Sequence, residues 1–197
     1  NNLKYLHDAI LPRSLFLIES DFVEKNPTKV RPYVQGQNID YKSEIKLLTN
    51  DKAGKAGRAK WFVANRNVIT QNVKYIDEFQ VVVSSANAGG QKRDNQIEIV
   101  DNHSAFGRAR VALRSFKTYE EAHNFYMYAT TYLIRYAFLM TDEALTSLGL
   151  LVPDIENYRA DNPVLDFSKN LDEQLFKIIN LDDNEIKYIK NVINTLR

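Results

Sequence analysis

Phe79-Gln80-Val81-Val82-Val83-Ser84-Ser85 is the strongest strand signal in the chain. β-Branched side chains are stiff at χ1 and suit the pleated surface of a sheet. Three valines in succession leave no polar face, so this strand is expected to be buried on both sides. A glycine-bearing basic loop follows it: Ala86-Asn87-Ala88-Gly89-Gly90-Gln91-Lys92-Arg93. Two more strands are expected over Gln96–Val100 and Arg108–Phe116, joined by the polar turn Asp101-Asn102-His103-Ser104. The second alternates, with Ala109, Val111 and Leu113 on one face and Arg108, Arg110 and Arg114 on the other. Upstream, Lys60-Trp61-Phe62-Val63 reads as strand and Val30–Val34 as a short extended piece among Pro27, Pro32 and Gly36. Leu15-Phe16-Leu17-Ile18 is apolar but too short for its period to separate strand from buried helix end. Between these lies Asp51-Lys52-Ala53-Gly54-Lys55-Ala56-Gly57-Arg58, which reads as a flexible basic loop.

Downstream the period changes from two to between three and four. Thr118-Tyr119-Glu120-Glu121 has the form of a capping box, and Ala122, Phe125, Tyr126, Ala129, Leu133, Tyr136 and Met140 continue from it. That spacing predicts one helix of about six turns. Thr141 to Leu148 reads as a short helix stopped by Gly149, and Pro153 to Asp166 as irregular chain. Two amphipathic helices close the sequence, one near Leu171–Ile179 and one starting at Asp182 that repeats Ile186, Ile189, Ile193 and Leu196. Strands first and helices last predict an α+β fold: a twisted, mostly antiparallel sheet with one long packed helix and a helical C-terminal subdomain. The expected division is residues 1–141 and residues 142–197, the second packed on the first.

With 197 residues, 44% hydrophobic and 26% charged, the composition is that of an ordinary globular protein of one or two domains. The longest apolar run, Tyr132 to Met140, is interrupted by Arg135 and is about half the length needed to cross a bilayer. No membrane association is expected. There is no cysteine, which excludes disulfides, thiolate metal sites and a cysteine nucleophile, and fits a cytoplasmic protein. The chain opens Asn1-Asn2-Leu3 without a signal peptide, as a C-terminal piece of a longer protein would.

The net charge of +1 hides an asymmetry. From Lys52 to Lys117 there are twelve Lys/Arg against five Asp/Glu, about +7. From Asp142 to Lys187 there are eleven acids against four bases, about −7. A basic middle with an acidic tail points to a polyanion partner for one part only, or to a solvated surface in a charge-balanced protein.

Motifs for nucleotide or hydrolytic chemistry are missing: no Walker A loop, no Gly-x-Gly-x-x-Gly and no Gly-x-Ser-x-Gly elbow. His7, His103 and His123 are scattered, and His103 in its polar turn reads as solvated. A divalent-metal nuclease would need paired carboxylates and a lysine, for which Asp154 with Glu185 and Lys187, or Asp40 with Glu44 and Lys46, are the matches. No resident metal site is expected from them, because Glu185 also suits a helix cap. Nucleic-acid binding has more residues behind it. Lys52, Lys55, Arg58 and Lys60, then Asn87, Gln91, Lys92 and Arg93, then the face of Arg108, Arg110 and Arg114 could line one groove. Lysine and arginine hold phosphates, while Arg to guanine and Asn or Gln to adenine are the pairings that read bases. Trp61 is either a stacking group or core.

Four strings in the tail carry a resemblance: Phe138-Leu139-Met140-Thr141-Asp142-Glu143-Ala144-Leu145, Val152-Pro153-Asp154-Ile155, Leu165 through Lys177, and Asp183-Asn184-Glu185-Ile186-Lys187-Tyr188-Ile189. With Ser115-Phe116-Lys117-Thr118 leading into Ala122-His123-Asn124-Phe125-Tyr126, residues 80 to 190 resemble the C-terminal region of bacterial type II restriction–modification enzymes with an adenine-N6 DNA methyltransferase module. The resemblance implies a target-recognition domain for double-stranded DNA. The family's Asn/Asp-Pro-Pro-Tyr/Phe motif is missing, since Asn26-Pro27-Thr28 and Asn162-Pro163-Val164 both fail at the second proline, and so is its Phe-x-Gly-x-Gly motif. No catalytic residue carries over. An upstream methyltransferase domain that binds S-adenosylmethionine is implied as the partner, with no cofactor in this piece. The alternative is an interaction module that docks another domain of the same enzyme.

Overall fold

The computed structural model describes residues 3–85, 97–141 and 145–196. The chain is α+β. Strands β1 (Val30–Pro32), β2 (Glu44–Asn50), β3 (Ala59–Asn65) and β6 (Ser104–Phe106) form a four-stranded sheet in the order β1-β3-β2-β6. Strands β4 (Phe79–Ser84), β5 (Ile97–Val100) and β7 (Arg110–Phe116) form a three-stranded sheet in the order β5-β4-β7. All pairings are antiparallel except β2 with β6. The single sheet expected from the sequence is therefore two. The reason is β2, where Ile45 and Leu47 alternate with Glu44 and Lys46 and build a second sheet with β3.

The valine run behaves as its composition demands. Val81, Val82 and Val83 are each fully buried. Val82 packs with Ile45, Leu47, Phe62 and Ala64 of the four-stranded sheet, whereas Val81 and Val83 pack with Phe125, Tyr128 and Ile134 on the helical side. The three-stranded sheet is thus the middle of three layers, the arrangement in which a strand with two apolar faces is stable. Leu15 and Phe16, in a turn, and Ile18 just after it are buried beside the four-stranded sheet, in neither strand nor helix.

β7 does not keep its expected alternation. Val81 is opposite Arg114 and Val82 is opposite Ala112, so Leu113 is an extra residue in a bulge. A bulge moves the following side chains to the other face. Arg110 stays on the Val82 side, and Arg114 turns to the helical side.

The helices are α1 (Phe22–Lys25), α2 (Tyr119–Ala129), α3 (Tyr132–Leu139), α4 (Leu171–Ile178) and α5 (Asp183–Asn194). The long helix expected from Thr118 to Met140 is broken into α2 and α3 at Thr130-Thr131. The Thr130 hydroxyl donates to the Tyr126 carbonyl at 2.7 Å, and the Thr131 hydroxyl caps Ile134 N–H. Asp172 accepts from Tyr132 N–H at 2.7 Å, holding the new start in place. These side chains offer the backbone alternatives to a continuous ladder. The short helix expected after Thr141 is a 3-10 turn at Leu145–Ser147. α5 begins with a full capping box between Asp182 and Glu185, and Ile189 and Ile193 are its buried residues. The tail shares its core with the sheet: Val152, Tyr158, Leu165 and Leu175 belong to the same cluster as Val81 and Leu113. Among the described residues, no helix is long and apolar enough to cross a membrane.

Candidate nucleic-acid interface

Backbone hydrogen bonds gather several chain ends at one edge of the two sheets. β2 and β6 run parallel, so both finish at the same end. There Gly107 N–H donates to the Leu48 carbonyl at 2.9 Å, and Arg108 N–H donates to the Ile18 carbonyl at 3.2 Å. Residues 107–110 then cross to the other sheet, where Ser85 N–H donates to the Ala109 carbonyl at 2.9 Å. The 51–58 loop leaves from the end of β2, and the chain after Ser85 leaves from the end of β4. The segment Gly107–Arg110 is the bridge between these exits. A side chain at Gly107 would not fit, because a Cβ there would stand 2.7 Å from Thr49 Oγ1 and 3.1 Å from the Ile18 carbonyl oxygen.

The 51–58 loop is a closed turn rather than the loose one expected. Asp51 N–H donates to the Arg58 carbonyl at 2.9 Å, and Arg58 N–H donates to Asp51 Oδ1 at 2.9 Å. The Arg58 guanidinium folds back on the Lys55 and Gly57 carbonyls at 3.1 and 2.9 Å. Gly57 is required, since a Cβ would overlap the Lys52 carbonyl oxygen. Lys60 Nζ lies 2.9 Å from Asp51. The Arg58 N–H first, and the Lys60 ammonium second, hold the Asp51 carboxyl down at about 2. Lys52 and Lys55 are exposed at the tip.

The arginines of the bridge have carboxylate partners. Arg108 pairs with Glu19 at 3.2 Å, and Arg110 pairs with Glu98 at 2.9 Å. Both pairs are partly exposed, so solvent screens them and each guanidinium can exchange a carboxylate for a phosphate at modest cost. Asn87, Gln91, Lys92 and Arg93 lie outside the described residues. The sequence reading passed over Arg13, whose Nε donates to the Arg108 carbonyl at 3.4 Å and which is exposed at the same edge. It also passed over Glu19 and Glu98. A lone arginine among turn residues carries no pattern of its own, and only the tertiary contact reveals it.

No protein-family model, curated protein or solved structure matches this chain. Trp61 is half-buried, with Lys46 Nζ 4.7 Å from its ring and 4.4 Å from the Tyr33 ring. It serves the outer face of the four-stranded sheet as a cation–π partner. His103 is not simply solvated: it is stacked 5.0 Å from Tyr41 and lies 3.4 Å from both Asp77 and Arg66. Asp154 accepts from the Arg114 guanidinium at Oδ2 at 2.7 Å and from the Tyr158 hydroxyl at Oδ1 at 2.8 Å. Glu185 accepts from Asp182 N–H in its capping box. Both carboxylates of the first nuclease match have structural duties. In the second, Glu44 is engaged with Arg31. Among the described residues, no group of three or more acidic or histidine side chains could hold a metal ion.

Proposed function

We propose that this chain is a non-catalytic DNA target-recognition module, binding duplex DNA through the edge where the 51–58 loop, the 107–110 bridge and the end of β4 at Ser85 meet. One observation supports the reading: the basic bridge Gly107–Arg110 joins the end of β2, where the basic 51–58 loop begins, to the end of β4 at Ser85, through the Gly107 and Ser85 hydrogen bonds. A polyanion that tracks cations needs them on one surface. Lys52 and Lys55 on their closed turn would hold phosphate. Asn87, Gln91 and Arg93, in the basic stretch of sequence after Ser85, have the chemistry to read base edges.

The resemblance supports placing this module in a type II restriction–modification enzyme of the adenine-N6 methyltransferase kind. There the methyl transfer, its S-adenosylmethionine and the catalytic residues would belong to another domain. Selection of bound duplexes from a random DNA pool tests the reading. A short enriched motif is expected for the wild type, and Arg93→Ala should blur one position of it while Lys55→Ala lowers yield evenly. A pool that stays random after repeated rounds contradicts target recognition.

A further inference from the structure

A groove of about 550 Å³ runs between α3 and α5. Single exposed apolar side chains are ordinary. Here they gather: Met140 is 59% exposed, Tyr188 60%, Ile179 46% and Leu151 44%, and all four line this one groove. A contiguous apolar patch on a folded chain marks a contact surface. The two helices are antiparallel, because the Tyr132 hydroxyl meets Asn194 at 3.1 Å and Tyr136 meets Tyr188 with ring centroids 6.3 Å apart. Such a trough between two helices is the shape that receives a third. A small-molecule site would instead converge several polar groups on one point.

One mouth of the groove is acidic. At one end the groove is lined by Ala137 and Met140 from the end of α3 and by Asn184 and Glu185 from the first turn of α5, where Asp182, Asp183 and Glu185 are all exposed. Three carboxylates outweigh the positive half-charge of a helix start. Glu185 is also the charged residue that lines the groove itself. We propose that this groove takes the apolar face of an amphipathic helix from a protein partner, with basic residues of that helix over Asp182, Asp183 and Glu185. The charge of the mouth sets the polarity of the bound helix, and Met140 and Tyr188 supply the anchors.

The test uses the full chain and a fluorescent 15-residue peptide with leucine at helical spacing and lysines at one end. Two controls accompany it, a scrambled sequence and a version with glutamate for lysine. Anisotropy should show the basic helix binding at least about tenfold tighter than either control. Tyr188→Asp, at an exposed position, should weaken it by at least about tenfold. Asp183→Lys should weaken the lysine peptide and favour the glutamate one. Equal binding of all three peptides, or none, would overturn the proposal. Two further outcomes also overturn it by naming another occupant. One is concentration-dependent dimerisation in sedimentation that Tyr188→Asp abolishes. The other is binding to anionic vesicles that Tyr188→Asp abolishes.

Discussion

At the start of β7, Arg110 pairs with Glu98 across 2.9 Å; near its end, Arg114 pairs with Asp154 across 2.7 Å. The bonds are similar, and the two arginines have similar exposure. The carboxylates differ: the Glu98 side chain is 41% exposed and that of Asp154 is 5% exposed. Around Asp154 the Tyr158 hydroxyl adds a second bond, and Arg114 lies over the Phe116 and Tyr158 rings at 5.6 Å each. Burial of this cluster pushes the phenols of Tyr128 and Tyr158 well above their usual range. One end of the strand therefore holds a cation that can change partners, and the other holds one that cannot. The burial of the acid, and not the presence of the arginine, decides which.

The sharpest way to break this contrast is to remove each acid in turn. Asp154→Ala removes a buried carboxylate that serves both Arg114 and the Tyr158 hydroxyl and should cost about 3 kcal/mol of unfolding free energy. Glu98→Ala, at the screened end, should cost less than about 1 kcal/mol. Urea unfolding of the two variants measures both, and equal losses would erase the distinction. Under the proposed function Glu98→Ala should also tighten duplex DNA binding, since Arg110 loses a competitor for phosphate.

The smallest effect concerns the loop. Asp51 is fully charged above about 4, and its depressed carboxyl keeps the Arg58 and Lys60 contacts until pH approaches about 2. The stability that this carboxylate lends is thus present above the ordinary aspartate range and lost as pH falls through the folded value. A carboxyl NMR titration should place the Asp51 midpoint near 2, and Lys60→Ala should raise it only in part, because the Arg58 N–H remains. A midpoint in the ordinary range near 4 would mean an open loop.

The same contrast explains what the sequence could and could not tell. Val81–Val83 declared both their strand and its two buried faces, because composition alone excludes a polar side. Asp182 and Glu185 declared the start of α5, because a cap is a local bond. β2 was hidden, since Glu44-Ile45-Lys46 draws attention as a possible metal motif while its alternation with Leu47 is the stronger fact. The break between α2 and α3 was hidden because Asp172, forty residues on, helps to hold it. Arg114 was counted with Arg108 and Arg110 because a one-residue bulge is invisible to a period-two pattern. Of the candidate interface the basic stretches were legible, but the hydrogen bonds of Gly107 and Ser85 that bring the end of β2, the 107–110 bridge and the end of β4 together are tertiary.

The central claim, that this basic edge holds duplex DNA, is tested most directly by the salt dependence of binding. Fluorescence anisotropy of a labelled duplex between about 50 and 200 mM salt should give a log–log slope of roughly −4 to −5, from four to six phosphate contacts. The double variant Lys52→Ala/Lys55→Ala should make that slope shallower by about 2. A flat salt dependence, an absence of binding at about 50 mM salt, or a slope that the double variant leaves unchanged would contradict the account.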